Sequence, residues 1–332
     1  VSPRAKKTKE PKEAPEADRP ILVTGVCGGL GRAFLRGLLE HTEHPVVGLD
    51  KRNWVLDVPE RFIFHRVDLR RGGAEDIFRT EKPWGVVHLA FVSDQRVAQS
   101  RRHEVNVLGT ERLLGWCKRH GTKRIVALSR ATVYGARADN PSLITEEMPI
   151  KLGAAYSELA DLVEYDHLCR SFLWEQRDVE MKLLRPVSVV GPSIREGMLH
   201  GYLDRDPVFT ALGFDPMVQL VHEDDVVDAI RLALRTAGRG IYNLTGPDPL
   251  PLSILLRELR RRRVPLPHPL LSLMDRVAFR LGLSSLPPHA IDFLRFSCLV
   301  DGTKLRDELG FNPRHSARTI LDAIRTRPAI VP

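Results

Sequence analysis

The run from Ile21 to Gly31, ILVTGVCGGLG, constrains this chain more than any other segment. A short apolar stretch ends in glycines at 25, 28 and 31, and Ala33-Phe34-Leu35 and Leu38-Leu39 follow at helical spacing. Glycines at such a turn let a strand bend sharply into a helix, let a pyrophosphate approach the backbone, and let the helix pack close on the strand. The free N–H groups at the helix start carry a partial positive charge that suits phosphates. The turn therefore predicts a dinucleotide cradle built from Gly25, Cys27, Gly28, Gly29, Leu30 and Gly31. Asp50 closes the next apolar run, 19 residues beyond Gly31. A carboxylate there accepts hydrogen bonds from ribose hydroxyls and repels a 2′-phosphate, which favours NAD. Lys51 and Arg52 beside it leave NADP open. Asp68, next to Leu69, either caps the adenine pocket or closes a turn. Cys27 reads as a small loop-filler, with a thiol activated by the helix terminus as its alternative.

Further apolar runs at Pro45–Asp50, Arg61–Val67, Gly85–Leu89, Lys123–Leu128 and Glu180–Leu184 alternate with helical stretches, notably Ser100–Arg119 and Ala154–Gln176. Such alternation predicts an α/β fold: a doubly wound, parallel-sheet Rossmann domain over 20–186. A helix at Asp225–Arg235 and a strand at Gly240–Leu244 place 222–245 back in that domain. Residues 187–221 and 246–330 are left for a smaller C-terminal substrate lobe. Residues 1–19, rich in Lys, Glu, Pro and Ala, bury too little to offset chain entropy and read as a disordered tail.

Fifty Lys and Arg against 42 Asp and Glu give +8, too diffuse to argue for nucleic acid. No apolar run has the length of a membrane span, and none near the start resembles a secretory leader. Four scattered cysteines without CxxC argue against a zinc ribbon and fit a reducing, cytoplasmic setting. The histidines show no HxxxH or HExxH spacing, so no metal site is expected.

Several further segments carry a resemblance. His88-Leu89-Ala90, Asn106-Val107-Leu108-Gly109-Thr110, Thr132-Val133-Tyr134-Gly135, Leu184-Arg185-Pro186 with Gly191-Pro192, His222-Glu223-Asp224-Asp225-Val226 and DGTKLRDELGFNP over 301–313 stand in order behind the glycine turn. Together they resemble the extended short-chain dehydrogenase/reductase family, in its NAD-dependent sugar epimerase/dehydratase branch, from Ile21 to about Asp322. The resemblance implies NAD at the glycine turn, with Leu89 and Ala90 beside it. It implies a small-molecule substrate such as a sugar nucleotide, and a homodimer through the two long helices. It also implies a Ser/Thr, a Tyr and a Lys at the reacting carbon. In that chemistry a tyrosinate takes the substrate hydroxyl proton, and the lysine lowers the tyrosine's pKa.

Here the pattern departs. Tyr156 matches the family tyrosine and Glu164 keeps the register, but the lysine position holds Ala160. Arg130 stands four before Tyr134, where the family has Ser or Thr, and Ser129 is one residue early. Three roles for Arg130 remain: to depress the Tyr156 pKa, to bind an anionic substrate group, or to sit in a decayed site. Val218 stands four before His222, where sugar epimerases often carry a phosphate-binding arginine. Two functions follow as alternatives: a nicotinamide-linked oxidoreductase or epimerase with Tyr156 and Arg130 at its centre, or a catalytically silent NAD-binding sensor or scaffold. Arg257 and Arg260 to Arg263 read as a solvated helix end, or as a contact for an acidic partner or anionic lipid. The apolar, proline-punctuated stretch Leu266–Leu286 reads as a buried helix of the lobe. A greasy pocket wall or peripheral membrane contact is its alternative.

Overall fold

The computed structural model describes residues 18–55, 61–152, 159–194, 198–282 and 287–325. Most of the expected tail, residues 1–17, and the stretch 153–158 with Tyr156 lie outside them. The first part runs β1 (Ile21–Thr24), α1 (Gly29–Leu39), β2 (Val46–Asp50), β3 (Phe62–Arg66), α2 (Gly73–Glu81), β4 (Gly85–His88), α3 (Gln99–His103), α4 (Gly109–Arg119), β5 (Arg124–Leu128), α5 (Ala160–Glu175) and β6 (Glu180–Pro186). It continues with β7 (Ser188–Val190), α6 (Met198–Leu203), β8 (Val208–Ala211), β9 (Met217–Val218), β10 (Leu220–His222), α7 (Glu223–Arg235) and β11 (Gly240–Leu244). The last part holds β12 (Leu250–Pro251), α8 (Leu252–Glu258), β13 (Arg263–Leu266), α9 (His268–Arg280), α10 (Thr303–Leu309) and α11 (Ala317–Arg325).

Seven strands form one parallel sheet in the order β11-β6-β5-β4-β1-β2-β3. The apolar character of these strands follows from burial on both faces, because helices cover each side. Phe34, Leu35 and Leu38 of α1 and Val226 and Ile230 of α7 pack on one face. Leu113 and Cys117 of α4 and Tyr165, Cys169 and Phe172 of α5 pack on the other. The chain winds outward in both directions from β1 and β4. The ends of these two neighbours therefore diverge at the switch point, where ligands of such sheets bind.

Three details differ from the sequence-based expectation. The long helix after β4 is interrupted by a π-helical turn at Glu104–Leu108, which turns Asn106 inward. Val300, Leu305, Leu309 and Phe311 share the core of the sheet domain rather than that of the lobe. Leu266–Leu286 does not make a buried helix: in α9 only Leu271 and Asp275 are buried, while Leu270, Leu273, Met274 and Val277 face solvent. The lobe core is already closed by Tyr202, Leu203, Leu252, Leu255, Leu256 and Ile291, and one turn-by-turn stripe of α9 suffices to cover it. Residues 283–286 of the stretch lie outside the described residues.

Candidate active site

The switch point is wired by hydroxyls and one imidazole. Thr110 Oγ1 donates to the Asn106 carbonyl at 2.6 Å, so it can only accept from His88 Nε2 at 2.9 Å. His88 Nδ1 is then unprotonated and accepts from the Thr24 hydroxyl at 2.7 Å. Thr24 Oγ1 in turn accepts the backbone N–H groups of Leu89 and Ala90, each at 3.2 Å. One proton order thus locks the ends of β1 and β4 to the helix behind them. Burial holds the His88 pKa down at about 4, so the ring is neutral.

Thr24 leads into the glycine turn. Gly25 has φ +74°, and a Cβ there would stand 2.7 Å from the Ala90 nitrogen. Only glycine lets β1 turn this close to β4. Gly29 meets the lobe-side loop: a Cβ on it would lie 2.1 Å from the Ser193 carbonyl oxygen. That loop is held by Glu223, whose carboxylate accepts the Ser193 N–H at 2.9 Å. Asp50, at the end of β2, accepts the Cys27 N–H at 3.0 Å and the Arg52 N–H at 2.9 Å. The Arg52 guanidinium folds back onto the same carboxylate at 3.2 Å. Burial, and then the Asp50 charge, push the Cys27 thiol up to about 11, so this sulfur fills space rather than serving as a nucleophile.

A cleft of about 440 Å³ runs from this loop to the lobe. Gly25, Cys27, Gly28, Gly29, Leu30, Gly31 and Leu89 line it at one end, and Arg130 and Thr132 line it further along. The lobe contributes an apolar wall that includes Met198, Leu199, Leu252, Phe293, Leu294 and Phe296. Val218 lines the same wall. Asp50, its carboxylate turned to the Cys27 and Arg52 N–H groups, is not among the lining residues, and neither are Asp68 and Leu69. Asp68 instead closes a turn with Arg70, taking its backbone N–H at 3.0 Å and its guanidinium at 2.7 Å. Ala90 is also outside the lining set, its N–H being committed to Thr24.

At the reacting end, the segment that follows β5 delivers Ser129, Arg130 and Thr132, with different fates. Ser129 lines the cleft but is buried, and its hydroxyl is committed to Asp166. Asp166 pairs with the fully buried Arg185 at 2.6 and 2.9 Å, and Arg185 donates to the Tyr134 hydroxyl at 2.7 Å. The Tyr134 hydroxyl donates to Asn243 Oδ1 at 2.9 Å, and burial raises its pKa to about 12. The VYG tyrosine is thus part of a closed structural network. Arg130 is half-buried, with its guanidinium carbon 5.4 Å from the centre of the Phe91 ring. Thr132 Oγ1, two residues on, is buried with no hydrogen-bond partner among the described residues.

Ala160 opens α5, and Asp161 beside it lines the cleft. Asp161 is buried and held by Arg102 at 3.3 Å and by Asn106 Nδ2 at 2.5 Å. Glu164 pairs with His103 on the neighbouring helix at 2.9 Å. Sequence reading missed Asp161, Arg102, Thr132, Phe91 and Arg32. Arg102 stands one helical turn before Asn106, a spacing that signals a shared face. Thr132 carried no signal beyond its place in the VYG segment. Outside the cleft, His222, Asp224 and His315 bring ligand-type atoms within 4.8 Å of one another. His222 Nδ1 caps α7 by accepting the Asp224 N–H at 3.2 Å, and His315 Nδ1 bonds Asp225 at 3.0 Å. The group ties the C-terminal segment to α7.

Known proteins resemble this chain in sequence and in fold. "Uncharacterized protein Rv0501" of Mycobacterium tuberculosis is 26% identical over 309 residues, covering 91% of this chain and 82% of that protein. "UDP-glucose 4-epimerase 2" of Oryza sativa subsp. japonica is 32% identical over 229 residues, covering 63% of this chain and 53% of that protein. Among solved structures, MoeE5 in complex with UDP-glucose and NAD superposes with a TM-score of 0.70 at 20% identity, over 92% of this chain and 97% of that one. DesIV, a dTDP-glucose 4,6-dehydratase from Streptomyces venezuelae, gives 0.71 at 23% identity, over 92% and 96%. These two are likenesses of fold. The model of the NAD dependent epimerase/dehydratase family matches residues 21–245, and the chain belongs to that family.

Proposed function

We propose that this protein is a nicotinamide-linked oxidoreductase or epimerase acting on a hydroxylated substrate, with NAD held by the glycine turn. The observation that carries the reading is that the glycine turn and Arg130 line one cleft. The fit of the dinucleotide rests on the cradle itself. Gly28 has only the Gly25 oxygen and Arg52 within 4 Å of where a Cβ would be, leaving the backbone open to a phosphate. Gly28, Gly29, Leu30 and Gly31 would hold the pyrophosphate at the start of α1, and Asp50 the ribose. Bound NAD supplies the hydride acceptor.

The chain's own residues supply the proton chemistry. Tyr156 takes the substrate hydroxyl proton and returns it in the reverse direction. Without a lysine at 160, the permanent charge of Arg130 favours the tyrosinate. The Thr132 hydroxyl takes the place of the family's Ser/Thr as a hydrogen-bond partner for the substrate oxygen, since no described residue bonds it. The apolar wall and Val218 support a substrate with an apolar body over an ordinary sugar nucleotide, because neither neutralises a diphosphate. The relatives' substrates, UDP-glucose among them, remain the comparison compounds.

A second reading, a silent NAD-binding protein, is favoured by Ala160 at the lysine position and Arg130 at the Ser/Thr position. Mass spectrometry of small molecules released from freshly purified, denatured protein tests the pair. The dinucleotide together with an oxidised or reduced partner compound supports the enzyme. The dinucleotide alone, with no turnover of any hydroxylated compound that Tyr156→Phe abolishes, supports the silent reading.

A further inference from the structure

The exposed stripe on α9 runs Leu270, Leu273, Met274, Val277 and on to Leu281, spaced i, i+3, i+4, i+7 and i+11, so all five share one helical face. Leu273 is 58% exposed and Leu281 67%. A soluble surface scatters such residues singly, whereas a contiguous stripe marks an interaction face. Arg276 and Arg280 border the stripe, exposed and without an ion-pair partner among the described residues. Between Leu259 and Gly282 the chain holds six arginines and a single acid, Asp275. Asp275 is buried beneath the helix, at 5% exposure. Of the neighbouring arginines, Arg262 is tied to Asp206 at 3.2 Å, while Arg260 is exposed.

We propose that α9 docks this protein on the surface of an anionic lipid bilayer, with its leucine stripe among the acyl chains and Arg276 and Arg280 on the lipid phosphates. The charge pattern selects this occupant. An aqueous polyanion would use the arginines but leave the apolar stripe uncovered. A second copy meeting the same face through a two-fold axis would bring Arg276 and Arg280 against their own equivalents, with no exposed carboxylate on the helix to offset them. An anionic bilayer satisfies both halves of the face: apolar side chains partition into the interface, and each basic residue near it adds electrostatic attraction. The helix is too short and too charged to cross, and no described helix has the length and apolarity of a span. Leu271, on the inner face of α9, shares a core cluster with Ala290 and Leu294, two residues that line the cleft. A docked α9 thus lies one side-chain layer from the apolar wall of the cleft.

Flotation of the full chain with vesicles of phosphatidylcholine, alone or mixed with phosphatidylglycerol, tests the proposal, with sedimentation velocity in parallel. The expected result is binding to the mixed vesicles only, weakened by salt. Arg276→Gln with Arg280→Gln should weaken it about 30-fold, since each basic residue near such a surface contributes on the order of 1 kcal/mol. Leu273→Asp with Val277→Asp should abolish it; both positions are exposed, so the fold tolerates them. Absence of binding to the mixed vesicles overturns the proposal, as does binding that survives the two aspartates. A dimer that the aspartate variant dissociates, in protein that ignores both vesicle types, assigns the face to a second copy instead.

Discussion

The Thr24 hydroxyl lies 2.7 Å from His88 Nδ1, and this contact joins the ends of the two strands between which the cleft opens. Removing the hydroxyl strands two groups at once, the imidazole nitrogen and the Ala90 N–H, while the Leu89 N–H keeps the Thr24 backbone carbonyl at 3.3 Å. Thr24→Val keeps the shape and should cost about 2–4 kcal/mol, since each unsatisfied buried group costs about 1–3 kcal/mol and some relax to other partners. Urea unfolding measures it, and a loss under about 0.5 kcal/mol would sink the wiring argument.

His88 also sets a pH dependence. Its folded pKa, about 4, lies below the ordinary value of 6.5. Between these values the unfolded chain binds a proton that the folded chain refuses. The contribution is therefore complete above about pH 6.5 and is lost as pH falls toward 4, amounting to about 3 kcal/mol at full extent. A urea series across this window should show wild type losing more stability on acidification than His88→Gln does. Parallel curves would mean that His88 titrates elsewhere.

Arg185 and Asp166 are both fully buried, so their pair is expected to behave asymmetrically. Arg185→Met leaves Asp166 buried with only the Ser129 hydroxyl and should cost about 3–5 kcal/mol. Arg185→Met with Asp166→Leu should recover a large part of that loss. A double variant as unstable as the sum of its singles would show that the two do not act as a pair.

Asp50 and Arg52 neutralise each other across 3.2 Å, and on the proposed function this pair sets the choice of cofactor. Asp50→Ala should weaken NAD binding by about tenfold and leave Arg52 free for a 2′-phosphate, shifting preference toward NADP. Arg52→Ala should do the reverse and sharpen the preference for NAD. Calorimetric titration of both dinucleotides into each variant checks the two directions together.

At the reacting end, Tyr156→Phe should lower turnover of the identified substrate by about 10²–10⁴-fold, the usual worth of a general base. Arg130→Gln should shift the acidic limb of the pH–rate profile upward, because the base acts as tyrosinate and the substitution removes the charge that favours it. Ala160→Lys should shift that limb downward. A profile indifferent to Arg130 would remove it from the proton chemistry and leave it an anion-binding role.

The fold was legible because two periodicities recorded it. Buried parallel strands must be apolar on both faces, and helices on them must be apolar every three to four residues. The glycine at 25 was legible because a strand that turns this close to its neighbour leaves no room for a Cβ. The fate of Asp68 was not: whether a strand-end carboxylate faces a ligand or a turn depends on Arg70, two residues on. The Thr24–His88–Thr110 chain was invisible, since its links join positions 24, 88 and 110, which only the sheet brings together. The exposure of α9 was hidden for the opposite reason. Leucine content argues for burial in general, but the lobe core has room for one face of that helix and no more.

Calorimetric titration of NAD into the wild-type chain and into Gly28→Val tests the central claim most directly. Gly28 lines the cleft, and a Cβ there would meet the Gly25 oxygen at 3.2 Å and Arg52 at 3.6 Å, so a valine would intrude on the ligand and ask only a small shift of the turn. The account predicts one dinucleotide bound per wild-type chain and none by the variant, with unchanged unfolding of the unliganded protein. Absence of binding to wild type, or equal binding to both, would contradict it.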